Sequence, residues 1–496
     1  MQTYRAYGEH DTVFTMHDLV HDLATTLLGE KILDQSKEDY TGGSSCRFAL
    51  LTDCSKPLES STTSLAMLRA LRFMDCRDCE VHGSAFCAAN SLRVLDLSEC
   101  FINKLPDSIG RMKQLRYINA PKIQDRMIPE CITTLSKLRF LSLRGSCFIL
   151  ALPDSIGEIQ DLVHLDLSGC SGIEELPESF GDLKSLEHLD FANCQDVIGV
   201  SQCLARFTKL QYLNLSNCEN VGQLPKALGS LTELQYLNLS NSSYLSGNEL
   251  DEAEFLGSLT KLKYLNLSAG GQELLYIRRL PEALGSLTEL KYLNLSGQCR
   301  LRKLPTSFGN LCNLVHLDLS RCLYLRDVSA ALNGLTKLQY LDLYGCSASA
   351  HAMEGLQEVF GNLSELRHLN FGNIYQSLLY PDEINVLLER ICTLTNLEYL
   401  NLSLNDTLSS IPETLCNLKK LHTLDLSWCA NLQRLPASIF EIDSLKFLHT
   451  MECWKLDRSF KSRLLHRNDT IFASRLNEWL TWADLFSYQS GISKSF

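Results

Sequence analysis

One pattern recurs so often that it leaves this chain little choice of fold. Leu92, Leu95, Leu97 and Cys100 set the frame LxxLxLxxC, which starts again at Leu162, Leu210, Leu314, Leu338 and Leu421. Looser copies begin at Leu68, Leu115, Leu138, Leu186, Leu234, Leu262, Leu290, Leu366, Leu397 and Leu445. These sixteen units mostly run 23 or 24 residues; three (from Leu234, Leu262 and Leu338) run 28, and the one from Leu366 runs 31. Leucines alternating with other residues have the period of a strand with one buried face. A single unit cannot cover its own leucines, so neighbouring units must share a core. The expected fold is α/β: a solenoid with a curved parallel sheet on the concave side and short helical or 3-10 returns on the convex side. At ~4.8 Å per strand, such a sheet would extend about 75 Å.

The returns carry a second motif, Leu105-Pro106-Asp107-Ser108-Ile109-Gly110, echoed at 152–157, 176–181, 224–229, 280–285 and 304–309. Pro is expected to open a short turn and Gly to end it. Frame, period and returns together resemble the leucine-rich repeat. In that repeat class the ninth position takes Asn or Cys. Cysteine fills it at Cys76, Cys100, Cys170, Cys194, Cys218, Cys322, Cys346, Cys429 and Cys453, and Asn405 takes it once. Nine of the twenty cysteines are thereby read as small, reduced core residues that can donate weakly to the backbone. No CxxC…CxxC or CxxC…HxxxH arrangement appears, so structural zinc is not expected.

Composition excludes other classes. The formal net charge is −12, so the chain lacks the overall basic footprint of a nucleic-acid binder. No apolar run approaches the ~20 residues of a membrane-spanning helix, and the first ten residues are too polar for a signal peptide. A soluble intracellular protein is expected, cytoplasmic or nuclear. Asn-Leu-Ser sequons at Asn214 and Asn266 would place sugars on the concave face in a secreted protein, which favours the same reading.

Outside the repeats lies Met16-His17-Asp18-Leu19-Val20-His21-Asp22-Leu23-Ala24, whose apolar residues share one face of an expected amphipathic helix. His17 and His21 stand one turn apart without a third ligand, and Asp18 replaces the Glu of an HExxH site, so no metal is expected. With the repeats and their LPDSIG returns, this motif resembles the plant intracellular nucleotide-binding leucine-rich-repeat (NB-ARC/LRR) disease resistance proteins. The resemblance implies that Met16, His17 and Asp18 end a nucleotide-binding module, with His17 near a bound ADP. It also implies that Cys46–Leu51 is the strand leading into the repeats. The phosphate-cradling GxxxxGK[ST] loop is missing, so the chain is read as the C-terminal portion of such a receptor. No cofactor is expected; ADP or ATP would bind only if the missing module were supplied. The expected organisation is a winged-helix remnant over 1–45, a lead-in strand and connection over 46–67, repeats over 68–456, and a C-terminal capping helix and tail over 457–496. Phe472, Leu476, Trp479, Ala483 and Phe486 have the spacing of that cap.

The fixed frame lets exposed columns be read. The third position is aromatic or His at Tyr117, Phe140, His164, His188, Tyr212, Tyr236, Tyr264, Tyr292, His316, Tyr340, His368, Tyr399 and Phe447. The fifth is almost always Asp or Asn. Such a wall suits a protein interface, though stacked like residues also stabilise strands. Partner-binding candidates are Tyr212, Tyr236, Tyr264, Tyr292 and Tyr340 in the aromatic column, and Arg144, Arg321, Tyr344 and Trp428, which break their columns. His164/Asp166, His188/Asp190 and His316/Asp318 share a face, but no nucleophile accompanies them and no catalytic residue is expected. The alternation places Leu215 inward and Ser216 outward. The expected function is non-enzymatic recognition in plant innate immunity. The repeats would sense a pathogen effector or guarded host protein and restrain a nucleotide switch absent from this chain. A general intracellular scaffold that assembles signalling proteins is the alternative, and it would have no need of the Met-His-Asp motif.

Overall fold

The computed structural model describes residues 47–55, 68–81, 89–195, 200–218, 227–242, 254–270, 277–326, 328–346, 355–374 and 381–457. It also describes the strands Tyr4–Arg5, Thr12–Val13, Ile32–Asp34 and Ile471–Ala473. The expected helix from Met16, with Met16, His17 and Asp18 themselves, lies outside the described residues. The chain packs as two units that divide after Tyr244.

In the first unit each repeat gives a short strand: Ala70–Phe73, Val94–Asp96, Tyr117–Asn119, Phe140–Ser142, His164–Asp166, His188–Asp190, Tyr212–Asn214 and Tyr236–Asn238. All pair in parallel and in register, so Leu165 faces Leu189 and Leu189 faces Leu213. Phe48–Leu51 pairs with Ala70–Phe73 and continues the ladder. The second unit repeats the scheme from Tyr264–Asn266 through Tyr292–Asn294, His316–Asp318, Tyr340–Asp342, His368–Asn370, Tyr399–Asn401 and Thr423–Asp425 to Phe447–His449. The inward leucines are sealed: Leu162, Leu165, Leu167, Leu213 and Leu215 are fully buried. Phenylalanines from the returns, such as Phe180 against Phe191 and Phe207, fill the space behind them.

The returns are mostly 3-10 turns, as at Asp107–Arg111, Glu130–Thr134 and Glu282–Ser286. Proline opens the turn from its capping position: Pro106 is extended (φ −70°, ψ 139°) and its carbonyl accepts the Ile109 N–H at 3.0 Å. Gly110 does not end its turn. It lies inside it, where a Cβ would meet the Cys131 Cβ of the next return at 2.6 Å, so close stacking of returns requires glycine there. The longer units from Leu338 and Leu366 place their extra residues in true helices, Leu356–Asn362 and Pro381–Ile391.

Two expectations need correction. Phe472, expected to open a capping helix, lies in the strand Ile471–Ala473, which pairs in parallel with Phe447–His449. An edge strand leaves a row of N–H and C=O groups unpaired, and a further strand satisfies them where a helix could not. The remainder of the expected cap lies outside the described residues. Ser216, expected to face outward, is buried, and its N–H donates to Asn214 Oδ1 at 3.2 Å. The strand ends at Asn214, so its alternation does not reach Ser216. A fair surface control for a core substitution is Gln211, which is exposed. Leu215→Asp should abolish a cooperative melt by placing an unpaired charge in the core, whereas Gln211→Asp should melt within a few degrees of the parent. Equal melts in a circular-dichroism scan would show the faces to be misassigned.

Candidate recognition surface

Because pairing is in register, like side chains stack along each column. In the first unit the rings of Tyr117, Phe140, His164, His188, Tyr212 and Tyr236 form one continuous pile, with centroids 3.8–4.2 Å apart and planes within 16° of parallel. Tyr264, Tyr292, His316, Tyr340, His368 and Tyr399 form another in the second unit. The rings inside each pile have both faces covered by their neighbours. The candidate tyrosines Tyr212, Tyr236, Tyr264, Tyr292 and Tyr340 are therefore half-buried members of a stack.

The fifth-position acids and amides serve the backbone. Asp166 Oδ1 accepts the Ser168 N–H at 2.9 Å, and Asn294, Asp318, Asn401 and Asp425 cap the residue two further on in the same way at 2.8–2.9 Å. Neighbouring fifth positions also bond to each other, Asn214 donating to Asp190 at 3.1 Å and Asn370 to Asp342 at 2.9 Å. These are turns built from short polar side chains, and they explain the column without a ligand. At the ninth position the thiols of Cys170, Cys194, Cys218, Cys322, Cys346, Cys429 and Cys453 each donate to a backbone carbonyl of the preceding repeat at 3.0–3.3 Å. Burial pushes the Cys170, Cys218 and Cys429 thiols up to about 12, so they stay protonated donors.

Burial keeps the imidazoles of the aromatic column neutral near neutral pH. Burial holds His164 down to about 4, with Asp166 opposing, and holds His188 down to about 2 with the help of His164. His316 and His368 are likewise held down to about 3. Burial lifts Asp190 to about 6, opposed by the Ala192 N–H, and also lifts Asp342. Among the described residues no group of His, Cys, Asp and Glu could hold a metal ion.

The outward-pointing chemistry lies where the strands end. The eighth position of most repeats takes a left-handed backbone, and Asn193, Asn217, Asn241, Gly169, Gly297 and Gly345 supply it easily. Bulkier residues hold the same conformation at Lys122 (φ 58°) in the first unit and at Arg321 (φ 58°), Leu404 (φ 59°), Trp428 (φ 64°) and Glu452 (φ 58°) in the second. Leu404 is 37% exposed and Trp428 47%; Met451 and Trp454, in the next repeat, are 43% and 75% exposed. The Trp428 N–H donates to the Met451 carbonyl at 2.6 Å and the Arg321 N–H to the Tyr344 carbonyl at 2.6 Å, so these neighbours line one rim. Tyr344 is half-buried, its hydroxyl pushed up by burial and eased by Arg321 and Asn373. Arg321, Tyr344 and Trp428 thus share this rim, whereas Arg144 is exposed in the first unit, its carbonyl accepting the Lys122 N–H at 2.8 Å. The frame hid Leu404, Met451 and Trp454, since leucine and methionine look like core by composition; their positions past the strand end were the readable signal.

The chain belongs to the leucine-rich repeat family. The profile for the leucine-rich repeat region matches residues 124–253 and 243–379, more than half of the chain, and the Leucine Rich Repeat profile matches residues 91–112. Among solved structures it is similar to a leucine-rich repeat protein of Leptospira interrogans, at 21% identity and a TM-score of 0.60, with 86% of this chain and 95% of that one covered. It also resembles TLR13 from its complex with ssRNA13, at 21% identity and a TM-score of 0.50, covering 85% of this chain and 63% of the other. At these identities the likeness shows the fold. A search of curated proteins finds no matching sequence. Among the described residues no helix is long and apolar enough to cross a membrane.

The buried imidazoles make a pH prediction. Unfolded histidine titrates near ~6.5, so below that pH the unfolded chain binds more protons than the folded one, and stability falls as pH drops. Asp190 acts oppositely, because its raised value costs stability near neutrality that acid relieves. His188→Tyr keeps the stack, as Tyr212 and Tyr236 already occupy it, and removes one titrating ring. Its melting temperature should fall less than the parent's between about pH 7 and about pH 5. Identical acid-induced losses would exclude His188 as a cause.

Proposed function

We propose that this chain is a protein-recognition module without chemistry of its own, which meets a partner along the strand-end rim of the second unit. The observation that carries this reading is the backbone at Leu404 and Trp428. A left-handed conformation costs a bulky residue about 1–3 kcal/mol, a cost that the repeats with Asn or Gly at this position avoid. Leu404 and Trp428 accept it while exposing apolar surface, and Arg321, Tyr344, Met451 and Trp454 extend the rim with residue types that interfaces favour.

Within that reading, the Met16-His17-Asp18 motif ahead of the repeats favours a plant intracellular immune receptor over a general scaffold. The repeats would sense an effector or guarded host protein and restrain a nucleotide switch carried elsewhere. The aromatic column of the second unit, with Tyr264, Tyr292 and Tyr340, would then serve as the floor that holds the rim in place, and Tyr212 and Tyr236 play the same structural part in the first unit.

Trp428→Asn separates the fold from recognition. Its melt should be unchanged or higher by a few degrees, since Asn tolerates the left-handed backbone. A photo-crosslinking residue at position 428, expressed in leaf cells, should capture a discrete protein that the same residue at exposed Gln211 does not. Identical products from both positions would overturn the rim as the contact. The same reading leaves the chain without a nucleotide, so calorimetric titration with ADP or ATP should give no saturable heat. Saturable binding would place a nucleotide site within the repeats or the segment before them.

A further inference from the structure

The second position of the repeats, just before each strand, carries a charge pattern that overall composition conceals. In the first unit it reads Arg69, Arg93, Arg116 and Arg139, and Arg47 holds the equivalent place ahead of Phe48–Leu51. Backbone bonds tie these residues directly together: Arg69 N–H to the Arg47 carbonyl at 2.7 Å, Arg93 to Arg69 at 2.7 Å, Arg116 to Arg93 at 2.8 Å and Arg139 to Arg116 at 2.9 Å. Five guanidinium-bearing residues therefore stand on successive strands, ~4.8 Å apart, over about 19 Å. Beyond them the same chain of bonds passes to Val163, Glu187, Gln211 and Gln235, so the basic row stops abruptly.

The fold does not require this row. Gln211 and Gln235 fill the position equally well in the same unit, and like charges set side by side on neighbouring strands are unfavourable. Among the described residues none of the five arginine side chains forms an ion pair or hydrogen bond; by contrast, Arg72 bonds Glu99 at 2.7 Å. Arg116 and Arg139 are exposed, and with Lys137 and Lys209 they line a groove of about 460 Å³ that also carries Asp161 and Glu187.

From this row we infer that the first unit has a second interaction surface, which takes an acidic, extended segment of a partner protein laid across the strands from Arg47 to Arg139. Carboxylates of such a segment meet guanidinium groups in paired hydrogen bonds. A nucleic acid fits less well. The adjoining rings Tyr117 and Phe140 already stack on each other at 4.2 Å and offer no free face to a base. Asp161 and Glu187 interrupt the positive lining between Arg139 and Lys209, which suits a peptide that can place a basic residue there better than a uniform polyanion.

The test uses the full chain and a fluorescent peptide of alternating Glu and Ser, ten residues in all, read by anisotropy at low salt. The peptide should bind, and added salt should weaken it. Arg93→Gln/Arg116→Gln, which installs the residue found in later repeats, should weaken binding about tenfold or more while the melt stays level or rises. Three outcomes would overturn the inference: no binding, binding unchanged in the double variant, or equal or tighter binding of a single-stranded oligothymidylate of matched charge. A lowered melt with binding retained would also overturn it, since the arginines would then serve the fold. Because the readout is direct binding at the first unit, its result is independent of the rim in the second.

Discussion

In-register parallel pairing is the constraint from which the rest of this structure follows. Once Leu165 sits opposite Leu189 and Leu189 opposite Leu213, every position of one repeat lies beside its counterpart in the next. A residue type that suits a position then gains by being repeated. Planar rings at the third position stack, and amides at the fifth bond to acids beside them. A donor at the ninth position reaches back to a carbonyl of the previous repeat. The apolar spine provides the driving force, since each leucine loses its water only when its neighbour arrives. The columns then set the spacing and hold it.

The ninth position shows that a column selects for a physical task more than for a residue. Cysteine fills it most often, but Ser242 does the same work, donating to the Leu215 carbonyl at 2.7 Å, and Asn405 donates to Phe371 at 2.9 Å. What these side chains share is a small donor that survives burial. A buried thiol satisfies this with little desolvation cost because it stays neutral, which accounts for the cysteines that recur at this position.

The sequence made the stacking frame legible because leucine spacing reports the buried face directly. Its legibility failed where a strand stops. Each strand is only about three residues long, so alternation holds from Tyr212 to Asn214 and misplaces Ser216, which an Asn214-capped turn folds inward. The fifth-position column looked like an interface for the same reason: its backbone duty exists only in three dimensions. Phe472 failed differently, since helical spacing over a few apolar residues cannot reveal an unpaired strand edge waiting for a partner. The arginine row was present in the letters, yet a net charge of −12 taken over the whole chain averaged it away.

These misreadings sort the columns by what the fold demands of them. Third, fifth and ninth positions are occupied on both sides by their own repeats, and their side chains are spent on stacking, capping and donating. Second and eighth positions are tied into the fold chiefly through backbone, although some also bond through side chains, as Asn217 to Asn193 at 2.8 Å and Arg367 to Glu398 at 3.3 Å. The carbonyl of Arg93 is needed, but its guanidinium is not; the left-handed turn at Trp428 is needed, but its indole is not. Such positions can change residue without disturbing the spine, and any departure there from the easiest choice has to be maintained by something other than folding. Arginines placed side by side where glutamine would serve, and a tryptophan held left-handed where asparagine would serve, are both departures of that kind. They occur in different units and differ in chemistry, one cationic and one apolar. A solenoid built this way can present unlike surfaces from one repeated frame, because its stability leaves the side chains of these columns least constrained.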